Sequence, residues 1–157
     1  MRTKAWLVSL LAVGVIGALT GCTGAAQRDA DDQITGAGKV DAFEMRVGDC
    51  FITAKLSDEI LEVPGLPCSQ PHDGEVVHIF ALSDGDYDET AIMAKADPTC
   101  AKATEDYVGG DYKPLGIDSW YFYPDPQAWS NGSRDVICYI ATTSGENDLS
   151  ASVKRTE

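Results

Sequence analysis

Four cysteines, Cys50, Cys68, Cys100 and Cys138, constrain the fold of this 157-residue chain more than any other feature. The fifth, Cys22, stands apart at the end of a basic and then apolar amino terminus. An even set of cysteines in an exported chain reads as two disulfides. No two of them form a C-x-x-C pair, which argues against a zinc knuckle or a thioredoxin-type redox site. Three pairings are open in principle. Cys50 with Cys68 and Cys100 with Cys138 is the expected one, because each bridge then ties neighbouring segments without crossing the other. In the loop-entropy picture such loops are worth about 3 and about 4 kcal/mol. That is a large share of the roughly 5–15 kcal/mol of a typical domain.

Export itself is read from the start of the chain. Met1-Arg2-Thr3-Lys4 carries positive charge, and Ala5 to Ala18 is an apolar run. At about 14 residues, with a basic flank only upstream, the run is too short for a spanning helix. Leu19-Thr20-Gly21-Cys22 resembles the lipobox of bacterial lipoproteins, a Leu, small, Gly, Cys pattern at which the thiol is diacylglycerated before signal peptidase II cuts. The resemblance implies a signal peptide over residues 1–21, lipid on Cys22, and a chain held on the extracytoplasmic face of the cell membrane. More than one acyl chain is needed for stable anchoring, as expected of a bacterial lipoprotein.

Cleavage removes Arg2 and Lys4 from the 12 basic residues, leaving ten against 25 acidic ones and a formal charge near −15. Nucleic acid is thereby a poor ligand: Lys95, Lys102, Lys113 and Arg134 look scattered, with no cluster to neutralise phosphates. An anionic membrane surface would also repel the domain, so the lipid must do the anchoring. Thr23 to Val40 is polar, rich in Ala, Gly and Asp, and nearly free of large apolar side chains, which predicts a flexible tether over residues 22–41. The folded unit is expected to run from Ala42 to Glu157 as one domain.

Within it, Phe43 to Ile52 alternates loosely and predicts a strand bending at Gly48-Asp49. Ile60 to Val63 predicts a second strand stopped by Pro64-Gly65-Leu66-Pro67. Glu75 to Leu82 predicts a strand with Val76, His78, Phe80 and Leu82 on one face and Glu75, Val77, Ile79 and Ala81 on the other. Two helical pieces are expected next. One covers Glu89 to Ala96, and the other restarts at Asp97-Pro98 and ends at Gly109-Gly110. Ser119 to Tyr123 and Val136 to Thr142 are β-prone, with a turn or short helix over Pro124 to Asn131 and a last edge strand over Leu149 to Val153. Strands around one main helical region, without βαβ alternation, predict an α+β domain with a mostly antiparallel sheet.

Val47-Gly48-Asp49-Cys50-Phe51, Cys68-Ser69-Gln70-Pro71-His72-Asp73-Gly74-Glu75-Val76, Cys100 and the stretch from Pro126 to Cys138 together resemble the septum-formation domain family of high-GC Gram-positive bacteria. In Trp129-Ser130-Asn131-Gly132-Ser133-Arg134, Ser133 stands where that family usually carries an acid. The resemblance implies an envelope-associated, extracytoplasmic domain and a link to cell division. It implies no defined reaction.

No catalytic, metal or cofactor set emerges from the residues. His72 and His78, in H-D-G-E-x-x-H, are six apart rather than the four a zinc-protease helix needs, so His72 is expected to bond loop backbone beside the Cys50 and Cys68 bridge. Asp84-Gly85-Asp86-Tyr87-Asp88-Glu89 opens like a calcium loop but has Glu89 and Lys95 where Gly and a bidentate Glu belong. Ser69 lacks a nucleophile elbow. Asn131-Gly132-Ser133, a glycosylation sequon in form, reads as a turn. Trp120, Tyr121, Tyr123 and Trp129 are the candidate partner-binding residues, although alternation would bury Trp120 with Phe122. The expected role is a non-enzymatic lipoprotein that binds an envelope or division protein. The alternative is a small-ligand or cell-wall-glycan binder using the aromatic surface.

Overall fold

The computed structural model describes residues 24–53 and 62–156. The expected leader, Cys22 and the expected strand start at Ile60 lie outside the described residues. Among the described residues eight strands are formed: β1 (Gln27–Arg28), β2 (Ile34–Gly36), β3 (Gly38–Asp41), β4 (Cys50–Phe51), β5 (Glu62–Leu66), β6 (Gly74–Ala81), β7 (Ile117–Phe122) and β8 (Asp135–Thr142). Two α-helices join them, α1 (Glu89–Val108) and α2 (Pro126–Ser130). β1 and β2 make a small hairpin, and the other six strands form one antiparallel sheet in the order β3-β5-β4-β6-β8-β7. This is the expected α+β class with one main helix.

β8 is central to this arrangement, and its run Val136 to Ile140 is buried on both faces. On one face α1 packs Ala96 and Cys100 against Val77, Ile117, Val136, Cys138 and Ile140. On the other, Val40, Phe51, Val63, Val76, Phe122, Ile137 and Tyr139 form a second core. Phe51 on β4 and Phe122 on β7 have two strands between them, about 14 Å of flat sheet. Their ring centroids are nevertheless 6.2 Å apart, so the sheet curls around this core. Gly74, opposite Phe51, keeps the ring in place: a Cβ there would meet it at 2.8 Å.

Residues 24–41, expected as a tether, are instead part of the fold. β3 edges the main sheet against β5, from Gly38 opposite Gly65 to Asp41 opposite Glu62, and Ile34 and Val40 are buried. Their polar composition misled because β5 supplies the backbone pairing, so a single inward side chain per strand is enough. The strand expected from Phe43 shrinks to Cys50–Phe51. Ala42–Glu44 is a 3-10 turn whose start is capped by Asp41, its carboxylate accepting from the Phe43 N–H at 2.8 Å.

Pro64 does not stop β5, which runs through it to Leu66. The Pro64 carbonyl accepts from Ile52 N at 3.2 Å, so its missing N–H faces the same neighbour, beyond the end of β4. The helix is likewise continuous across Pro98. Asp97, expected as a cap, instead accepts from the Tyr121 hydroxyl at 2.7 Å, while Asp88 caps α1 through Ala91 N. α1 ends as expected at Gly109, whose φ of 81° is the left-handed cap conformation that glycine adopts without strain. Leu149 pairs only with His72 rather than opening an edge strand.

A bulge between Val76 and His78 overturns the expected faces of β6. Val77 is the extra residue, so Glu75, Val77, His78 and Phe80 all turn towards α1, while Val76 and Ile79 line the second core.

Cys50 and Cys68 form one disulfide and Cys100 and Cys138 the other, each with a Cα separation of 5.2 Å. The second fastens α1 to the middle of β8. Replacing Cys100 and Cys138 with alanine is expected to lower the unfolding free energy by about 4 kcal/mol, and replacing Cys50 and Cys68 by about 3 kcal/mol. Urea denaturation of the two double variants measures both, and no loss from either would contradict the bracing assigned to these bridges.

Candidate functional site

The acids of the cysteine-rich segments are buried, and each has donors from a distant part of the chain. Asp49 accepts both guanidinium nitrogens of Arg28, at 2.7 and 2.6 Å, and the Arg46 N–H at 2.8 Å. It thereby holds the β1–β2 hairpin to the sheet, and the bond keeps the Arg28 proton more firmly than usual. Asp73 accepts the Thr53 N–H at 2.7 Å and the Thr53 hydroxyl, holding the end of β4. Glu75, with no exposed surface, accepts from the Tyr107 hydroxyl at 2.7 Å, the Ser152 hydroxyl at 2.5 Å and the Val153 N–H at 2.8 Å. One carboxylate thus joins β6, α1 and the carboxy-terminal segment.

His72 sits where the sequence put it. It is fully buried, its Nδ1 lies 2.8 Å from the Gln70 carbonyl, and a ring nitrogen is within 4.8 Å of the Cys50 and Cys68 sulfurs. Those two sulfurs are bonded to each other, so no thiolate is free to complete a metal site with the imidazole.

The four aromatic candidates do not converge on one platform. Trp120, expected inside, is 54% exposed on edge strand β7, where the second core no longer reaches, while Phe122 on the same face is buried. Tyr121 and Tyr123 are half-buried and donate to Asp97 and Glu89. Trp129 is 9% exposed and structural: its indole N–H donates to the Gly85 carbonyl at 3.0 Å and Arg134 stacks 3.9 Å from its ring. Asp84 pairs with the same Arg134, so the acidic turn is fastened to the Trp129 loop.

An open groove of about 1020 Å³ lies elsewhere, between α1, the bulged part of β6 and the carboxy-terminal segment. Val77, Ala103 and Tyr107 give it an apolar floor, and His78, Lys102, Lys154 and Arg155 supply polar walls. Sequence reasoning missed this concentration of cations. Lys154-Arg155 is adjacent in the chain, but its meeting with Lys102 depends on the tail being tied to Glu75 and on the Arg155 N–H donating to the Tyr107 carbonyl at 2.9 Å.

These features define an antiparallel α+β domain, braced by two disulfides, in which buried acids of the cysteine-rich segments secure its outlying parts. A family model described as Septum formation matches residues 20–138, well over half of the chain. The chain belongs to this septum-formation family. Comparison with curated proteins gives no match, and comparison with solved structures gives none either.

Burial also sets an alkaline limit on the fold. Tyr139 is pushed up to about 12, first by burial and then by the charge of Asp73. Tyr121 reaches about 12 through burial and its bond to Asp97, and Tyr123 about 12 through its bond to Glu89 and burial. Unfolded tyrosines lose their protons near pH 10, so this contribution to stability is whole below about pH 10 and is lost as the pH rises towards about 12. The urea midpoint is expected to fall across that window, with a shallower fall in Tyr139→Phe. A midpoint independent of pH there would contradict the assignment.

Proposed function

We propose that this chain is a non-enzymatic interaction module of the bacterial cell envelope, displayed on the extracytoplasmic face by lipid on Cys22 and acting in septum formation. The observation that carries the reading is the pairing of Leu19-Thr20-Gly21-Cys22 with two disulfides further along the chain. Disulfides persist outside the reducing cytosol, and a lipid anchor accounts for how so acidic a domain stays at a membrane. Membership of the septum-formation family supports a place in the division machinery. The buried acids Asp49, Asp73 and Glu75 are already engaged as acceptors by structural donors, which supports binding rather than acid–base chemistry at that cluster. The partner would be another division or wall-synthesis protein.

Crosslinking in living cells tests the reading, with a chain whose residues 1–22 are replaced by a cleavable secretory leader without a lipobox as the secreted control. The expected result is a membrane-bound native chain that captures a division or wall-synthesis protein, and a control that is released to the medium and captures it far less. Equal capture by both, or release of the native chain to the medium, would overturn it.

A further inference from the structure

The charge of this chain is strongly negative, and most of its described cations are consumed locally. Among the described residues, Arg28, Lys39, Arg46, Lys102, Lys113 and Arg134 each pair with a carboxylate. Lys95, Lys154 and Arg155 are the described cations that have no carboxylate partner among the described residues. Two of these three, Lys154 and Arg155, line the groove beside Lys102. Lys95 continues the strip along α1: Lys95, Thr99 and Lys102 recur at helical spacing on one side, with the Lys95 ammonium 5.6 Å from the centre of the Phe80 ring. The one carboxylate that lines the groove, Asp106, is taken up by Lys102. Glu105 and Asp111 belong to a neighbouring depression around Gly109–Gly110, which shares Lys102, Asp106 and Arg155 with the groove.

The β6 bulge contributes to this site in its own right. Without the extra residue at Val77, His78 and Phe80 would turn into the second core. With it they stack on each other, 6.1 Å between ring centroids, on the side facing the groove. Bulges re-aim side chains in this manner beside functional sites.

We propose that the groove binds a phosphate-bearing saccharide of the cell envelope, the phosphate held by Lys154 and Arg155 and the sugar lying over Val77, Ala103 and Tyr107. A guanidinium and an ammonium lining one groove suit an oxyanion with several acceptor oxygens. The volume is that of a small-molecule pocket and takes one or two sugar rings, whereas a protein partner would need a far broader face. The charge along the strip excludes a cationic ligand. Only the envelope origin of the saccharide rests on the extracytoplasmic reading above; the binding itself does not.

Full-length protein in neutral detergent, titrated with N-acetylglucosamine phosphate and followed by calorimetry and amide chemical shifts, tests the proposal. Glycerol phosphate, inorganic phosphate and unphosphorylated N-acetylglucosamine are the comparison probes. The expected result is binding of the phosphosugar that weakens with added salt, moves the amides of Ala103, Tyr107 and Arg155, and exceeds binding of all three comparison probes. Lys154→Ala with Arg155→Ala should weaken it roughly tenfold or more, the worth of a charge-assisted hydrogen bond. The backbone bond from Arg155 to Tyr107 survives that change, so the fold should survive too, and Lys113→Ala, outside the groove, should leave binding unaltered. No binding by the unmodified chain, or equal binding by the double variant, would overturn the site. Equal or tighter binding of glycerol phosphate would overturn the saccharide in favour of a lipid headgroup. Because these readouts do not depend on Cys22 or on a division partner, failure of the groove and failure of the anchored-module reading are told apart.

Discussion

The buried carboxylate of Glu75 is the interaction on which the working parts of this molecule depend. A carboxylate without contact with water is strongly unfavourable unless donors surround it, and here three donors come from two segments far away in sequence. Tyr107 comes from the last turns of α1, and Ser152 and Val153 from the carboxy-terminal segment. Losing them would leave an uncompensated buried charge, so each segment is held in place by the cost of letting go. The two walls of the groove, α1 and the carboxy-terminal segment, are therefore joined through one side chain of β6. Asp49 and Asp73 repeat the device for the β1–β2 hairpin and for Thr53.

This division of labour explains how a chain with such an acidic balance folds compactly. The two disulfides brace the sheet at Cys50–Cys68 and tie α1 to β8 at Cys100–Cys138, while the curled sheet encloses an aromatic core of Phe51, Phe122 and Tyr139. Three of the acids are turned inward as fasteners, and several others neutralise nearby cations on the surface. Positive charge without a partner among the described residues is left at the groove, beside the imidazole and ring that the bulge has turned towards it.

The α+β class, the disulfide pairing and the end of α1 were legible because they rest on local rules: even cysteines, alternating apolar residues, and a glycine after a helix. The role of His72 was legible too, since the proline and cysteines around it leave few alternatives. What escaped was set by tertiary contact. Ile34 and Val40 look too sparse to anchor a strand until β5 lies alongside. Pro64 is tolerated because its missing N–H faces Ile52, just past the end of β4, rather than a paired residue of that strand. The bulge at Val77 leaves no mark in the residue order, yet it reverses the side on which His78 and Phe80 lie. Trp120 looked like core because alternation reports which face a side chain takes, not whether the core extends that far along an edge strand. The groove was hidden for the same reason: Lys102 and Lys154 are remote in sequence and meet through Glu75 and the backbone bond from Arg155 to Tyr107.

Amide hydrogen exchange at Val153 tests the role of Glu75 most directly, because that N–H donates to the buried carboxylate from a segment that is otherwise mostly exposed. The account predicts that Val153 exchanges much more slowly than its neighbours Ser152 and Lys154, and that Glu75→Leu, which has no acceptor, abolishes this protection while the amides of β8 keep theirs. Fast exchange at Val153 in the unaltered chain, or protection unchanged in Glu75→Leu, would contradict it.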